Sequence, residues 1–315
     1  MVSERLAKRK LNNLIHSVLL MGGMILLLSL LGWIIGGILG FMFLAILGGI
    51  FLFVSPHVPP RLILRMYHAR PLTTSQAPRL LRDIDVLSNR ANLPCTPLLY
   101  YIPTQSVNAF AIGKCNDAAI GVTDGLLRYL NRRELVGVLA HEISHLRDND
   151  LQVMGLANLI TRATSMLSWI GQILFFINLP LILLGGHTIP WLFILLLIFA
   201  PTISSTLQLA LSRAREYDAD LDAVQLTGDP RGLAYALAKL ENLSSSFMER
   251  VFLPSRRMPE PSLFRTHPST EERIRRLLEL EDKRVPVMDA HGRSYFYTVR
   301  LPTVETQIPR RVVVG

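Results

Sequence analysis

The chain has 315 residues, a formal charge of +9 and a pI near 9.9; half its residues are hydrophobic and only 18% are charged. That much apolar material excludes intrinsic disorder, and two cysteines, Cys95 and Cys115, are too few for a disulfide-stapled secreted domain. The charge is also unevenly spread. Residues 11–60 and 163–212 contain no Asp, Glu, Lys or Arg; the remainder carries about 27% charged residues, ordinary for soluble protein.

Residues 1–10 carry Arg5, Lys8, Arg9 and Lys10 against Glu4. The apolar block from Leu11 to Val54 then suits two spans of about 20 residues each, with Gly36-Gly37 as the turn. It is too long for the apolar region of a cleaved signal peptide. A helical hairpin is expected. Arg61, Arg65, Arg70, Arg79 and Arg82 follow it before the next acid, Asp83. Lys and Arg at both ends of a hairpin mark the cytoplasmic side. The basic excess is read as this topology signal, not as a nucleic-acid footprint; no recognition motif for nucleic acid is present.

Residues 61–150 read as globular. Leu98–Ile102, Val107–Ile112 and Ala118–Thr123 are short apolar or β-branched runs between Pro, Thr, Ser, Asn and Gly, which predicts strands. Asn131-Arg-Arg-Glu134 has the capping-box spacing and predicts a helix over Arg132 to Leu146. That helix carries His141-Glu-Ile-Ser-His145. His141 and His145, four apart, project from one face and can reach one ion at about 2.0–2.1 Å each. Glu142 lies about 100° further round, where it can face a water instead of ligating the ion. The pattern suits zinc-assisted hydrolysis with Glu142 as general base.

The second charge-free block has apolar arms on each side of Gly185-Gly186, interrupted by Pro180, Pro190 and Pro201. Whether both arms span or neither does, the chain returns to the side it left. A charge-rich helical segment follows from Ser212 to Leu226. Further helices are predicted at Arg231–Leu243 and Thr270–Leu280, and a strand at Ser294–Val299. The expected organisation is an N-terminal transmembrane hairpin (1–60), a catalytic region with strands and the HExxH helix (61–150), and a second apolar hairpin (151–212). A second catalytic region carrying a glutamate-ligand helix (213–285) and a basic tail (286–315) complete it.

A catalytic zinc needs a third protein ligand and an open position. The metzincin pattern would require Gly at 148 and His at 151; Asp148 and Leu151 stand there. Asp148 and Asp150 lie too near the end of the HExxH helix to fold back easily onto the ion. The remaining candidates are Glu216, Asp218, Asp220 and Asp222, with His187 and His267 as outsiders. Glu216 and Asp220 share a helix face, so one can ligate while the other accepts a hydrogen bond from a ligating imidazole. Spacing does not choose between them.

The blocks HEISHLRDND, SRAREYDADLDAV and LFRTHPSTEERIRRL resemble the three signature blocks of the HtpX-type membrane zinc metallopeptidases, which share a superfamily with the CAAX prenyl proteases. The resemblance extends over most of the chain between residues 60 and 284, together with the leading hairpin. It implies one zinc ion per chain held by His141, His145 and Glu216, with Glu142 as catalytic base and Asp220 as the acidic residue behind the site. The fold implied is α+β and mainly α-helical: a membrane protein with two apolar helical hairpins and a gluzincin-type zinc protease domain with a small β-sheet. Asn108-Ala-Phe110 resembles the family's strand near the cleft, where an edge strand can pair with an extended peptide; a plain core strand is the alternative for this segment. His267, in Thr-His-Pro-Ser, is a candidate oxyanion contact or a turn residue capping the helix at Thr270. Arg213 and Arg215 are candidates for substrate carbonyls or for pairing with local acids. Neither cysteine sits in a C-x-x-C pair, so reduced thiols without a zinc role are expected.

The expected function is a multi-pass, membrane-integrated zinc endopeptidase whose site faces the cytoplasm, in the inner or plasma membrane of a prokaryote. Its partners are the lipid bilayer and polypeptides, above all damaged or misassembled membrane proteins. The alternatives are a dedicated processing protease of the CAAX type and a non-catalytic, zinc-stabilised membrane scaffold. A transporter is disfavoured, because only His16, His57 and His187 can ionise within the charge-free blocks.

Overall fold

The computed structural model describes residues 2–53, 59–114, 117–184, 189–250, 270–281, 287–288 and 294–295. Cys115, His187, His267 and residues 296–299 of the expected last strand lie outside these. The chain divides into two compact units. One comprises Leu11–Pro56 and Gln152–Arg215; the other comprises Met1–Lys10, His57–Leu151 and Glu216–Gly315.

The first unit is apolar and helical. Helix α1 (Val2–Phe53) is two helices meeting at Gly36 and Gly37. Gly37 has φ 58°, a left-handed conformation that glycine adopts without steric cost. Beside the turn the arms meet backbone to backbone: a Cβ on Gly32 would lie 2.5 Å from the Gly40 carbonyl oxygen. The expected first hairpin is present. Helix α6 (Asp150–Leu183) and helix α7 (Trp191–Thr227) form the second pair. Asn178 braces their connection, accepting from the Ile189 N–H at 2.8 Å and donating to the Ile189 carbonyl at 3.1 Å. Pro180 and Pro201 lie inside the helices without ending them.

By length and composition α1, α6 and α7 can each cross a bilayer. Met24, Leu31, Ile160, Leu197 and Leu211 are buried within this unit, while Leu19, Phe43, Trp169 and Leu183 are exposed. Helices that are apolar all round belong in lipid. Polar groups turn inward: Thr161 Oγ1 lies 3.0 Å from Ser204 Oγ and donates to Gln208 Oε1 at 2.8 Å. Such interhelical hydrogen bonds hold membrane helices together where water cannot compete.

The second unit carries a four-stranded sheet of β1 (Arg70–Pro71), β2 (Leu98–Ile102), β3 (Ala109–Ile112) and β4 (Ala119–Thr123), in the order β1-β2-β4-β3. Strands β2 and β4 are parallel and the other pairs antiparallel, so β3 is an edge. It starts two residues later than expected. The Asn108 N–H donates to the Thr123 side-chain oxygen at 2.9 Å instead of to a strand carbonyl. Around the sheet lie α2 (Pro60–Met66), α3 (Pro78–Arg90), α4 (Asp124–Tyr129), α5 (Arg132–Arg147), α8 (Pro230–Arg250) and α9 (Thr270–Glu281). A small hairpin of β5 (Val287–Met288) and β6 (Ser294–Tyr295) follows.

Helix α5 starts at the expected capping box, with Asn131 and Glu134 exchanging side-chain and backbone hydrogen bonds. Leu139 and Ile143 are completely buried in the core, packed with Ile120 and Val122 of β4 and with Leu233 and Leu237 of α8. Gly137 lets α8 approach, since a Cβ there would lie 2.9 Å from the Leu233 backbone nitrogen. Burial on nearly every side makes α5 a fixed platform for the side chains near its end.

Candidate metal centre

Helix α5 presents His141, Glu142 and His145; α7 presents Glu216 and Asp220. His141 Nε2 lies 3.1 Å from His145 Nε2 and 3.4 Å from Glu216 Oε2, and His145 Nε2 lies 3.7 Å from Glu216 Oε1. Four donors about 2.0–2.1 Å from a tetrahedral ion sit roughly 3.3 Å apart. The three observed separations bracket that value, so the donor set fits a metal ion. Among the described residues it is the one His, Cys, Asp and Glu cluster of this kind.

Each imidazole is gripped from behind. His145 Nδ1 lies 2.8 Å from Asp150 Oδ2. His141 Nδ1 lies 3.1 Å from Asp220 Oδ1, close enough to pair but off the hydrogen-bonding direction. These carboxylates favour the tautomer that turns each Nε2 toward the ion. Asp150 does not ligate, yet it does fold back. Helix α5 ends at Arg147, Asn149 takes φ 54°, and this single left-handed residue returns the chain so that Asp150 meets His145. Substituting Asp150 by Ala is expected to weaken metal affinity roughly 10–100-fold, read by competition with a chromophoric chelator.

A second feature escaped the sequence reading. Arg273 of α9 is buried and donates to both oxygens of Asp220, from Nε at 2.8 Å and Nη2 at 2.7 Å. Its Nη1 is 3.0 Å from Glu216 Oε2. The pattern that could have found it is the core stripe of α9: Arg273, Leu277 and Leu280 are 4%, 1% and 5% exposed, a spacing of i, i+4, i+7. An arginine on such a stripe must meet a buried carboxylate. Removing it in Arg273→Ala strands two buried carboxylates. An expected cost of about 3–5 kcal/mol would appear as a lowered unfolding midpoint of the purified protein in detergent.

The electrostatics follow from burial and these partners. Burial disfavours charge on His141, but Asp220 and Glu216 outweigh it and lift its pKa to about 10. Burial likewise opposes charge on His145, and Asp150 together with Glu216 raises it nonetheless. A pocket that holds protons this firmly favours a cation between its donors. Burial pushes the Glu142 carboxyl above the usual carboxylate range, against the pull of both imidazoles. Its Oε2 accepts the Ala111 N–H of edge strand β3 at 2.9 Å. Glu142 therefore stands beside the donor set, tied to the sheet and outside the ligand cluster. A carboxyl tuned in this direction suits proton transfer near neutral pH.

The other candidates fall elsewhere. Asp222 pairs with Arg147, which also pairs with Asp148; Asp218 is buried outside the donor set. Asn108 is half-buried, its backbone held by Thr123. Arg213 belongs to the apolar unit. Cys95 is half-buried and free.

Comparison with known proteins bears on this geometry. Residues 74–281 match the model of peptidase family M48. "Protease HtpX homolog" of Trichormus variabilis is 36% identical over 280 residues, covering 84% of this chain and 94% of the relative. The protein of the same name from Aquifex aeolicus is 38% identical over 271 residues, covering 82% and 89%. The crystal structure of S. mikatae Ste24p aligns with a TM-score of 0.47 at 20% identity, over 86% of this chain and 67% of that one. With its membrane-capable helices and HExxH donor set, the chain belongs to peptidase family M48 and is a membrane metalloprotease.

Proposed function

We propose that His141, His145 and Glu216 hold one zinc ion and that Glu142 is the general base of an endopeptidase. The observation that carries this is the convergence of the three donors at 3.1–3.7 Å with Glu142 beside them. When bound, the ion supplies Lewis acidity that polarises a peptide carbonyl and makes water nucleophilic near neutral pH. The chain's own residues do the rest. Glu142 Oε2 is fixed by the Ala111 N–H, so Oε1 takes the proton from the attacking water. The same carboxyl then returns it to the departing amine. Asp150 and Asp220 hold the imidazoles in register, and Arg273 balances the charge of Glu216 and Asp220. An extended substrate is proposed to pair along edge strand β3 without using the Ala111 N–H, which Glu142 holds, and Asn108, Arg213 and His267 are candidate substrate contacts.

The substrates proposed are damaged or misassembled membrane proteins. The presence of membrane-capable helices and the donor set in one chain supports this class. The flanking Lys and Arg of the first hairpin support a multi-pass topology with the site on the cytoplasmic side. The test is purified full-length protein offered an unfolded membrane protein beside a prenylated C-terminal peptide. Cleavage of the former supports the reading; cleavage of the prenylated peptide alone would replace it with a processing role.

A further inference from the structure

Helix α2 (Pro60–Met66) is two-sided. Pro60 and Leu64 are buried, while Leu62 and Met66 on the opposite side are 57% and 64% exposed. Among the exposed large hydrophobics of this unit's described residues, Leu62 and Met66 are the one pair at i, i+4 spacing. Arg61 and Arg65 are exposed beside them. Two like charges at that spacing work against a helix in water. The sequence supplies no local acid to relieve them: between Glu4 and Asp83 there is no Asp or Glu, while Arg70, Arg79 and Arg82 add further exposed cations. Helix α2 starts seven residues after α1 ends, so the covalent chain keeps it within about 25 Å of a membrane-capable helix. An exposed apolar pair flanked by exposed cations with no acid near them in sequence is the pattern of a helix that lies in a membrane interface.

We propose that α2 rests on an anionic phospholipid surface, with Leu62 and Met66 at the boundary of headgroups and acyl chains and Arg61 and Arg65 on lipid phosphates. The anionic surface reverses the repulsion between the two arginines, and the bilayer covers an apolar face that the described residues leave open. This is a second attachment, separate from the spanning helices.

Spin-label depth measurements on the full-length chain test it. The background carries Glu142→Gln, to prevent self-cleavage, with Cys95→Ser and Cys115→Ser. Nitroxides are placed through Leu62→Cys, Met66→Cys and, as a water-exposed control, Ser75→Cys. The protein is reconstituted in nanodiscs of phosphatidylcholine with or without phosphatidylglycerol. The ratio of oxygen to nickel-chelate accessibility should be several-fold higher at 62 and 66 than at 75 when phosphatidylglycerol is present. It should fall toward the value at 75 without that lipid, or when Arg61→Gln and Arg65→Gln are added. A ratio at 62 and 66 equal to that at 75 would overturn the proposal. So would exclusion of both collision partners, which indicates a protein cover, and so would a raised ratio indifferent to phosphatidylglycerol.

Discussion

Glu142→Gln is expected to lower peptide cleavage roughly 10²- to 10⁴-fold, the range a positioned general base contributes, while the protein keeps its metal. The amide has nearly the shape of the carboxylate and its oxygen can still accept the Ala111 N–H, so strand β3 and helix α5 keep their relation. What is lost is the basic oxygen. Glu142 lies outside the set His141, His145 and Glu216, so metal content after dialysis should match the wild type. Peptidase activity undiminished in this variant would reject Glu142 as the base. Loss of metal along with activity would show that Glu142 ligates.

Glu216→Ala is expected to act on the metal itself. It deletes one of three donors, so the loss in affinity should exceed the roughly 10–100-fold attached to a partner behind a ligand. It also removes one of the two carboxylates that meet buried Arg273, so the metal-free variant should unfold at a lower temperature than the metal-free wild type. Inductively coupled plasma analysis after dialysis and a thermal melt separate the two effects. Protons compete for the same site. Metal binding requires His141 without its Nε2 proton, and its pKa without metal is near 10. Binding therefore releases protons, and apparent metal affinity should rise with pH up to about that value. An affinity flat between pH 6 and pH 9, about the span in which imidazole competition matters, would contradict this.

Much of the fold could be read from local pattern. The capping box at Asn131 located the start of α5 because its hydrogen bonds are local. The charge-free blocks located the apolar helices, since a bilayer imposes composition over a whole span. Strands β2, β3 and β4 were found within two residues, the discrepancy at β3 coming from a side chain, Thr123, which takes a backbone donor; the two-residue strands β1 and β5 are too short to leave a pattern. Long-range partners were harder. Arg273 lies more than fifty residues from Asp220, and Arg275 and Arg276 beside it have the same chemistry but pair with Glu272 at the surface. Helical phase alone distinguishes them. The hydrogen bond of Asp150 to His145 was not anticipated, because one left-handed residue, Asn149, reverses the chain. The continuity of α7 through Glu216 was also missed: its composition changes from apolar to charged midway, yet the backbone continues as one helix.

On the proposed function, one zinc ion held by His141, His145 and Glu216 makes this membrane protein a peptidase. The most direct measurement is zinc titration into chelator-stripped, full-length protein in detergent, with casein cleavage and self-cleavage followed at each addition. No cleavage is expected after stripping, recovery should saturate at one equivalent of zinc per chain, and Glu216→Ala should not recover at that stoichiometry. Cleavage that survives stripping, or zinc that binds at one equivalent without restoring it, would rule out a zinc-dependent peptidase at this site.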